Sequence, residues 1–214
     1  MSRPTKHAPE RGDARSRLLE AARDVIRAKG FAATSVDDLC RAAGVTKGAF
    51  FHHFDSKEAL GVAAAVYWAE TTSAFFAAAP YHDHADPLER VLAYVDFRRR
   101  IIAGRLEEFT CLVGTMVQET YDSSPAIRDA CGASILGHAE TLVPDIQAAM
   151  RRHGIADADW TAESLARHTQ AVLQGAFILA KASDRPEFAL ESVDHLKRYI
   201  ALLFEQSKQE GQQG

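Results

Sequence analysis

The chain has 214 residues, of which 47% are hydrophobic and 25% charged, with three cysteines and a formal net charge of −4 at pH 7. This composition is ordinary for a globular protein with a hydrophobic core. It excludes a disulfide-rich scaffold and, because no apolar run approaches about 18 residues, a membrane-spanning chain. The cysteines show no CxxC spacing and suit a reducing compartment, so we expect a cytoplasmic protein with no membrane partner.

The N-terminal segment predicts an arm followed by two capped helices. Residues 1–12 are polar and predict a disordered arm. From residue 13 to residue 29 apolar residues recur at i, i+4 and i+7, which predicts a helix that Gly30 ends. Ser35, with Asp38 three residues later, has the pattern of an N-terminal cap for a second, short helix.

A tight turn and another short helix come next. Gly44 suits a sharp turn at positive φ, and Thr46 is a capping residue for the helix that follows. Phe50 and Phe54 are four residues apart and therefore lie on one side of this helix. We expect both rings in the core.

The rest of the chain predicts further helices and no strand. Asp55 with Glu58 predicts the start of a long helix, Asp159 predicts the start of another, and Pro144 predicts a kink or a division within a third. The predicted spans are 56–79, 87–103, about 106–121, 125–153, 160–181 and 187–208. The sequence therefore predicts an all-α fold of about nine helices, with a frayed tail at 209–214.

Two short helices joined by a Gly-containing turn and braced by a third helix form a helix-turn-helix. If Phe50 and Phe54 face the core, then Lys47, Gly48 and His52 face outward. The small residue among them lets the helix come close to a groove floor, so this face is predicted to enter the major groove of DNA.

The charge distribution agrees with one nucleic-acid-binding end. Residues 1–58 hold 11 Lys and Arg against 8 Asp and Glu, a balance of +3, whereas the remainder has a balance of −7. A basic end joined to an acidic body is expected where only that end meets phosphate.

The segment FAATSVDDLCRAAGVTKGAFFHHFDSKEAL resembles the TetR family of transcriptional repressors in its turn, its small residues, its paired aromatics and its Ser-Lys-Glu, and the resemblance covers about residues 14–70. It implies a homodimer with a helix-turn-helix DNA-binding domain at 13–58 and a helical ligand-binding and dimerisation body at 59–208. The implied partners are a double-stranded DNA operator and a small-molecule effector. No cofactor, no metal ion and no enzymatic activity are expected.

The resemblance also implies which residues contact DNA. At the major groove it places Thr46, Lys47, Gly48 and Ala49; along the recognition helix it places Phe51, His52 and His53; and from the next helix it brings Lys57 to phosphate. Phe51 stands where the family usually has tyrosine, so the hydroxyl contact to phosphate is absent and stacking on sugar or a thymine methyl group would replace it. The alternative for the charged residues is a solvated helix face.

A second segment, CLVGTMVQE at 111–119, resembles the branch of this family that includes the NemR-type and acrylate-responsive repressors, with Thr115 where that segment commonly has asparagine. The resemblance implies that Cys111 senses electrophiles or oxidants. The alternative is inert packing, because buried cysteines usually behave as small hydrophobic residues. We expect packing alone for Cys40 and Cys131.

A ligand pocket is expected within the body, where a few polar groups meet an apolar cleft. The candidate lining residues are Trp68, Phe75, Phe97, Cys111, Met116, Gln118, His138 and Phe177. For the aromatic residues and the methionine, the alternative is ordinary core packing.

The last two long helices have broad apolar faces, and two such helices from each subunit would form a four-helix dimer interface. The candidate interface residues are Leu165, Val172, Leu173, Gly175, Leu196, Ile200 and Leu203. The alternative is packing within one chain.

Three other interpretations of the sequence stay open. The segment YHDHAD at 81–86 has the composition of a metal site, although a solvated loop is favoured. A helical metallohydrolase or thiol-dependent enzyme in the body lacks a nucleophile with a base beside it. A helical interaction module would show no salt-dependent DNA binding, and a regulator of this fold could activate rather than repress.

Overall fold

The computed structural model describes residues 13–156 and 158–210, with the backbone alone described from 206 onward. Over this part of the chain the protein is all-α, with eleven α-helices, one 3-10 turn and no strand. The helices are α1 Ala14–Lys29, α2 Val36–Ala43, α3 Lys47–His53, α4 Lys57–Ala77, α5 Pro87–Arg100, α6 Leu106–Phe109, α7 Leu112–Thr120, α8 Pro125–Glu140, α9 Val143–Arg152, α10 Ala162–Ser183 and α11 Pro186–Glu210, and the 3-10 turn is Pro80–Asp83. The predicted arm at 1–12 and the tail beyond 210 lie outside the described residues.

The local signals of the first three helices are confirmed. The hydroxyl of Ser35 accepts from the amide of Asp38 at 3.1 Å, and the Asp38 carboxylate accepts from the amide of Ser35 at 2.9 Å. Gly44 ends α2 in the left-handed region with φ 63°. Thr46 caps α3 by accepting from the amide of Ala49 at 3.1 Å. These bonds satisfy amides that a helix N-terminus leaves without partners.

Two helix starts differ from the prediction. The cap of α4 is Ser56, whose hydroxyl accepts from the amide of Ala59 at 3.0 Å, and the cap of α10 is Thr161 rather than Asp159. Glu58 instead accepts a hydrogen bond from the hydroxyl of Ser124, which caps α8. In each case a hydroxyl residue lies directly before the helix and takes the capping position.

The helix count differs from the predicted nine mainly because the predicted helix over 106–121 divides in two. Thr110 and Cys111 have extended backbone between α6 and α7, and the Cys111 sulfur caps α7 by accepting from the amide of Gly114 at 3.3 Å. No glycine or proline marks this break, so its sequence signal is weak. The division at Pro144, between α8 and α9, was predicted and is present.

The buried residues form two clusters. One joins α1–α4 to α7 and α8, so that Leu112, Met116, Ile127 and Cys131 are at most 1% exposed beside the helix-turn-helix. The other is formed mainly by α5, α8, α9, α10 and α11. The packing therefore crosses the predicted domain boundary after residue 58. Among the described helices, none is both long and apolar enough to cross a membrane.

Candidate functional site

The outward face of α3 carries the residues that the sequence predicts at DNA. Thr46, Lys47, Gly48 and His52 are exposed, whereas Ala49 and His53 are half-buried. Phe51 is 55% exposed, an unusual position for a phenylalanine on a seven-residue helix. The predicted core pair is buried on the opposite side, with Phe50 at 0% and Phe54 at 5% exposure.

Helix α1 holds this short unit in place. The Arg17 guanidinium donates to the carbonyl oxygens of Ala43 at 3.2 Å and Gly44 at 3.3 Å, at the turn between α2 and α3. The Arg15 guanidinium lies 5.7 Å from the centre of the Phe54 ring. Since α3 is too short to be stable alone, these contacts with α1 fix the direction in which its exposed face points.

The two lysines of the predicted DNA surface have different environments. The Lys47 ammonium pairs with the Asp37 carboxylate at 2.8 Å, both side chains being more than half exposed. The hydrogen bond that Lys47 donates to Asp37 raises the pKa of Lys47. Such surface pairs contribute little to stability and exchange readily for another anion.

The Lys57 ammonium is held by backbone carbonyl groups in this structure. Its Nζ donates to the carbonyl oxygens of Phe31 at 3.0 Å and Thr34 at 2.9 Å, and it lies 4.5 Å from the centre of the Phe31 ring. In this structure Lys57 therefore braces the loop between α1 and α2. Its phosphate role stays a prediction, and a phosphate would have to compete with these carbonyl partners.

A cavity of about 660 Å³ lies behind the helix-turn-helix, among α1, α4, α5, α6, α7, α8 and α10. Five of the eight residues predicted for a ligand pocket line it: Trp68, Phe75, Cys111, His138 and Phe177. The remaining three lie elsewhere. Met116 is fully buried in the N-terminal cluster, Gln118 donates to the carbonyl of Gly114 at 2.7 Å, and Phe97 packs 5.5 Å from Phe76.

Sequence reasoning missed two cations that line the cavity, Arg27 of α1 and Arg98 of α5. Arg27 is only 7% exposed, and its guanidinium lies 5.2 Å from the Trp68 ring. The pKa of Arg27 is lowered by burial. A signal existed for Arg27, because it directly follows the buried Ile26 on the apolar face of α1. The run that contains Arg98 was instead interpreted as a solvated face.

A buried hydrogen-bond chain forms one wall of the cavity. The Gln170 amide donates to the Tyr94 hydroxyl at 3.1 Å, and this hydroxyl lies 3.0 Å from Nε2 of His138. Burial, together with the positive charge of Arg98, lowers the pKa of His138 to about 4. His138 is therefore neutral near pH 7. The Tyr94 hydroxyl accepts a hydrogen bond from Gln170 and can donate its own hydrogen to Nε2; in that arrangement the neutral His138 carries its hydrogen on Nδ1.

The three cysteines occupy different environments. Cys111 is half-buried at the cavity wall and at the N-terminus of α7, where anions are stabilised. Nearby, the Lys181 ammonium donates to the Thr115 hydroxyl at 2.9 Å. Cys131 is fully buried, and burial raises its pKa to about 12. Burial also raises the pKa of Cys40.

The predicted dimer interface separates into an inner and an outer set. Leu165, Leu173, Leu196 and Ile200 are at most 3% exposed within the single chain, so the interface role predicted for these four is corrected. Val172, Gly175 and Leu203 are half-buried. Both helices are apolar on two sides, and the sequence could not say which side faces outward. The outer side also carries four exposed hydrophobic residues, Ile178, Leu179, Tyr199 and Leu202.

The segment at 81–86 is a folded turn in this structure. Tyr81 is buried, Nε2 of His82 lies 3.1 Å from the carbonyl oxygen of Phe76, and Asp86 caps α5. Across 13–156 and 158–210 no group of three or more His, Cys, Asp or Glu residues is arranged to hold a metal ion.

Two family models match the chain. Residues 18–64 match the model for bacterial regulatory proteins of the tetR family, and residues 87–194 match the C-terminal domain of LmrA/YxaF-like transcriptional regulators. The chain is 28% identical over 191 residues to the transcriptional regulator AcuR of Cereibacter sphaeroides, covering 84% of this chain and 82% of AcuR. It is 27% identical over 212 residues to the transcriptional repressor NemR of Escherichia coli, covering 94% of this chain and 98% of NemR.

Solved structures show the same fold. The reduced form of Escherichia coli NemR matches with a TM-score of 0.71 at 25% identity, covering 87% of this chain and 96% of NemR. A cysteine mutant of the regulator CifR, in complex with 26-base-pair double-stranded operator DNA, matches with a TM-score of 0.71 at 23% identity, covering 92% of this chain and 98% of CifR.

Proposed function

The chain belongs to the TetR family of DNA-binding transcriptional regulators, and from this premise we propose that it is a homodimeric repressor. In this proposal the dimer binds a pseudo-palindromic operator through α3. It releases the operator when a small molecule enters the cavity or when Cys111 is modified.

The observation that carries the DNA-binding role is the exposed face of α3. Phe51 is more than half exposed beside Gly48 and His52, on a helix whose other side is fully packed. The small Gly48 beside this ring allows the exposed side of the helix to approach a groove floor closely. On DNA, this ring would meet a thymine methyl group or a sugar, while His52 would reach a base edge.

The outer side of α10 and α11 supports the dimer. Leu179 and Leu202 are 54% and 51% exposed, and a Cβ added at Gly175 would meet no atom within 4 Å. A partner helix can therefore approach this face closely. Two such pairs of helices would make an isologous four-helix interface. The two α3 helices would then reach half-sites about one DNA turn, or about 34–36 Å, apart.

Release requires a ligand that binds one of two arrangements of the DNA-binding domain, residues 13–58 (the head), more tightly than the other. The cavity supports this role because its wall includes Arg23 and Arg27 from α1, which also fixes the α2–α3 turn, and Trp68 from α4. Cys111 gives a second trigger at the same wall. Modification there would add bulk at the α7 N-terminus, between α1 and α10.

Selection of bound sites from random duplex DNA, followed by fluorescence anisotropy at several salt concentrations, tests the proposal. His52→Ala should weaken binding to the selected operator more than about fivefold, because a groove contact is lost. His84→Ala, an exposed histidine on the body, is the matched control and should leave the affinity unchanged. Equal affinity for all three proteins would refute the assignment of α3, and a strictly monomeric particle in sedimentation would refute the dimer.

A further inference from the structure

We propose that the cavity binds an organic carboxylate whose body is aromatic, with Arg27 as the partner of the carboxylate group. This inference deepens the proposed function, because that ligand would be the effector that releases DNA. It rests on three observations: a buried cation without a counter-ion, a polar wall made of donors, and aromatic sides.

Arg27 is the strongest of these observations. Arg27 is only 7% exposed, it lines the cavity, and its Nε has no hydrogen-bond partner. No carboxylate among the described residues lies within ion-pairing distance of it. A buried guanidinium without an anion is costly. A ligand carboxylate would supply the charge and the acceptors that the protein leaves out.

The other acidic and basic groups at the cavity are already paired with each other. Arg23 holds Asp24 at 2.7 Å, and Arg105 holds Glu107 at 3.1 Å and Glu108 at 3.4 Å. The lining has four arginines against three carboxylates, a net charge of +1, and Arg27 and Arg98 are the two of these arginines without an ion pair to a described residue. Burial lowers the pKa of Arg27 although Asp24 and Glu107 act on it from outside ion-pairing distance and oppose that shift.

The wall that contains Arg98 and His138 adds hydrogen-bond donors and no carboxylate. Arg98 lies 5.1 Å from the Phe76 ring and 5.9 Å from the Phe177 ring, and it makes no ion pair with any described residue. His138 is neutral, and Nδ1–H is a donor when the Tyr94 hydroxyl donates to Nε2. A ligand with acceptor oxygens fits this wall, whereas an ammonium ligand would be repelled.

The volume and the aromatic lining of the cavity indicate what the rest of the ligand is, apart from its carboxylate group. Its volume of about 660 Å³ is that of a site for a drug-sized molecule. Five aromatic rings line it: Trp68, Phe75, Phe76, Phe109 and Phe177. Rings prefer offset or edge-on contacts with other rings. An acid of two to four carbon atoms would leave most of this space and these faces unfilled.

Three probes separate charge from shape in calorimetric titrations of the full chain: 2-naphthoate, its neutral isostere 2-naphthamide, and acetate. We expect 2-naphthoate to bind at least about tenfold more tightly than either of the others. Quenching of Trp68 fluorescence in a Trp160→Phe background, which leaves one tryptophan, would locate the probe in the cavity.

Two variants and one control then assign the carboxylate. Arg27→Gln should weaken 2-naphthoate about 10- to 100-fold, the range for a lost hydrogen bond to a charged group, and should change 2-naphthamide less than about threefold. Arg98→Gln should weaken 2-naphthoate in the same direction. Arg99→Gln is the matched control, because this arginine follows Arg98 on α5 but pairs with Asp194 outside the cavity lining, and it should change neither affinity more than threefold.

Several results would overturn the ligand class. One is equal affinity for 2-naphthoate and 2-naphthamide, and a second is equal affinity for 2-naphthoate and acetate. A third is no binding of 2-naphthoate or of two further aromatic acids titrated in the same way, benzoate and biphenyl-4-carboxylate. A fourth is an equal loss of both naphthalene probes in Arg27→Gln and also in Arg98→Gln, which would mean that the arginines only support the cavity walls.

A separate titration with operator DNA distinguishes this inference from the proposed function. Operator binding by a protein that binds no aromatic carboxylate would leave the regulator intact and overturn the ligand class. Carboxylate binding that depends on Arg27, without any effect on the operator, would leave the cavity assignment intact and refute its role in release.

Discussion

Replacing Lys57 by methionine should destabilise the fold and leave the electrostatic part of DNA binding unchanged. Methionine keeps most of the length of the side chain and removes the ammonium. The structure predicts this result because the ammonium of Lys57 is held by carbonyl oxygens of Phe31 and Thr34, at 3.0 and 2.9 Å, rather than facing outward. A lysine that contacts phosphate would show the opposite pattern.

The expected loss follows from these contacts. A hydrogen bond to a charged group contributes about 1.5–3 kcal/mol, and a cation over an aromatic ring, as Lys57 is over Phe31 at 4.5 Å, adds about 0.5–1 kcal/mol at exposed sites. In the variant, water can reach the freed carbonyl groups, so the contributions do not sum. We expect a total loss of about 2–3 kcal/mol, which for a chain of this length lowers Tm by about 4–12 °C.

Lys47→Met is the matched comparison, since Lys47 is exposed on α3 and its partner Asp37 is exposed too. Thermal unfolding at one fixed protein concentration and anisotropy titrations across a salt series give both quantities for each variant. Lys47→Met should keep the Tm of the parent protein and lower the slope of log affinity against log salt by about one unit per protomer. If Lys57→Met gave that pattern instead, with Tm unchanged, the bracing role would be wrong.

Three more predictions test the dimer, the buried histidine and the sensor cysteine. Leu179→Glu should convert the dimer to a monomer in sedimentation without a change in helix content, whereas Leu173→Ala, at a fully buried position, should lower the free energy of unfolding by about 2–5 kcal/mol. The pKa of His138 is lowered to about 4, so the unfolded chain binds the proton more tightly than the folded chain does. The free energy of unfolding should therefore have its full value above about pH 6.5 and should fall toward pH 4 by up to about 1.4 kcal/mol per pH unit. His138→Gln should remove this slope in urea unfolding. Cys111→Ser should abolish release of operator by thiol-reactive compounds, and Cys131→Ser should keep it, because the Cys131 thiol is buried with a pKa of about 12.

The helix-turn-helix could be predicted from the sequence because its signals are local. Ser35 and Asp38 are three residues apart, Gly44 lies at the turn it permits, and Phe50 and Phe54 share one side of a helix. Each of these features needs only its neighbours in the chain. The all-α fold followed from helical periodicity along the rest of the chain, and the TetR membership from the resemblance of the helix-turn-helix segment.

The cavity could be predicted only in part, because its walls come from helices far apart in the sequence. Aromatic composition pointed to Trp68 and Phe177, but the same reasoning included Met116, which packs in the other cluster. Arg27 was missed because it lies on α1, which sequence reasoning assigned entirely to the DNA-binding domain. The carbonyl partners of Lys57 are 23 and 26 residues away, so no local pattern could reveal them either.

Helix α1 contacts both the cavity and the α2–α3 turn, so it could transmit the effect of a bound ligand to the DNA-binding surface. Arg17 holds the α2–α3 turn and Arg27 lines the cavity, ten residues and therefore about 15 Å apart along one helix. The body also holds the head at a second point, where the Glu119 carboxylate of α7 accepts from the amide of Ala32 at 2.6 Å. The head therefore cannot tilt freely as a separate domain.

A ligand that shifts α1 would thus move α3 with it rather than loosen a linker. The shift is limited by the preference of the ligand for one arrangement: a hundredfold loss of operator affinity requires about 2.7 kcal/mol of that preference. One charge-assisted hydrogen bond to Arg27, at about 1.5–3 kcal/mol, is of the size required, provided that it forms in the released arrangement only. Packing of the aromatic walls around the ligand in both arrangements would add affinity but no release.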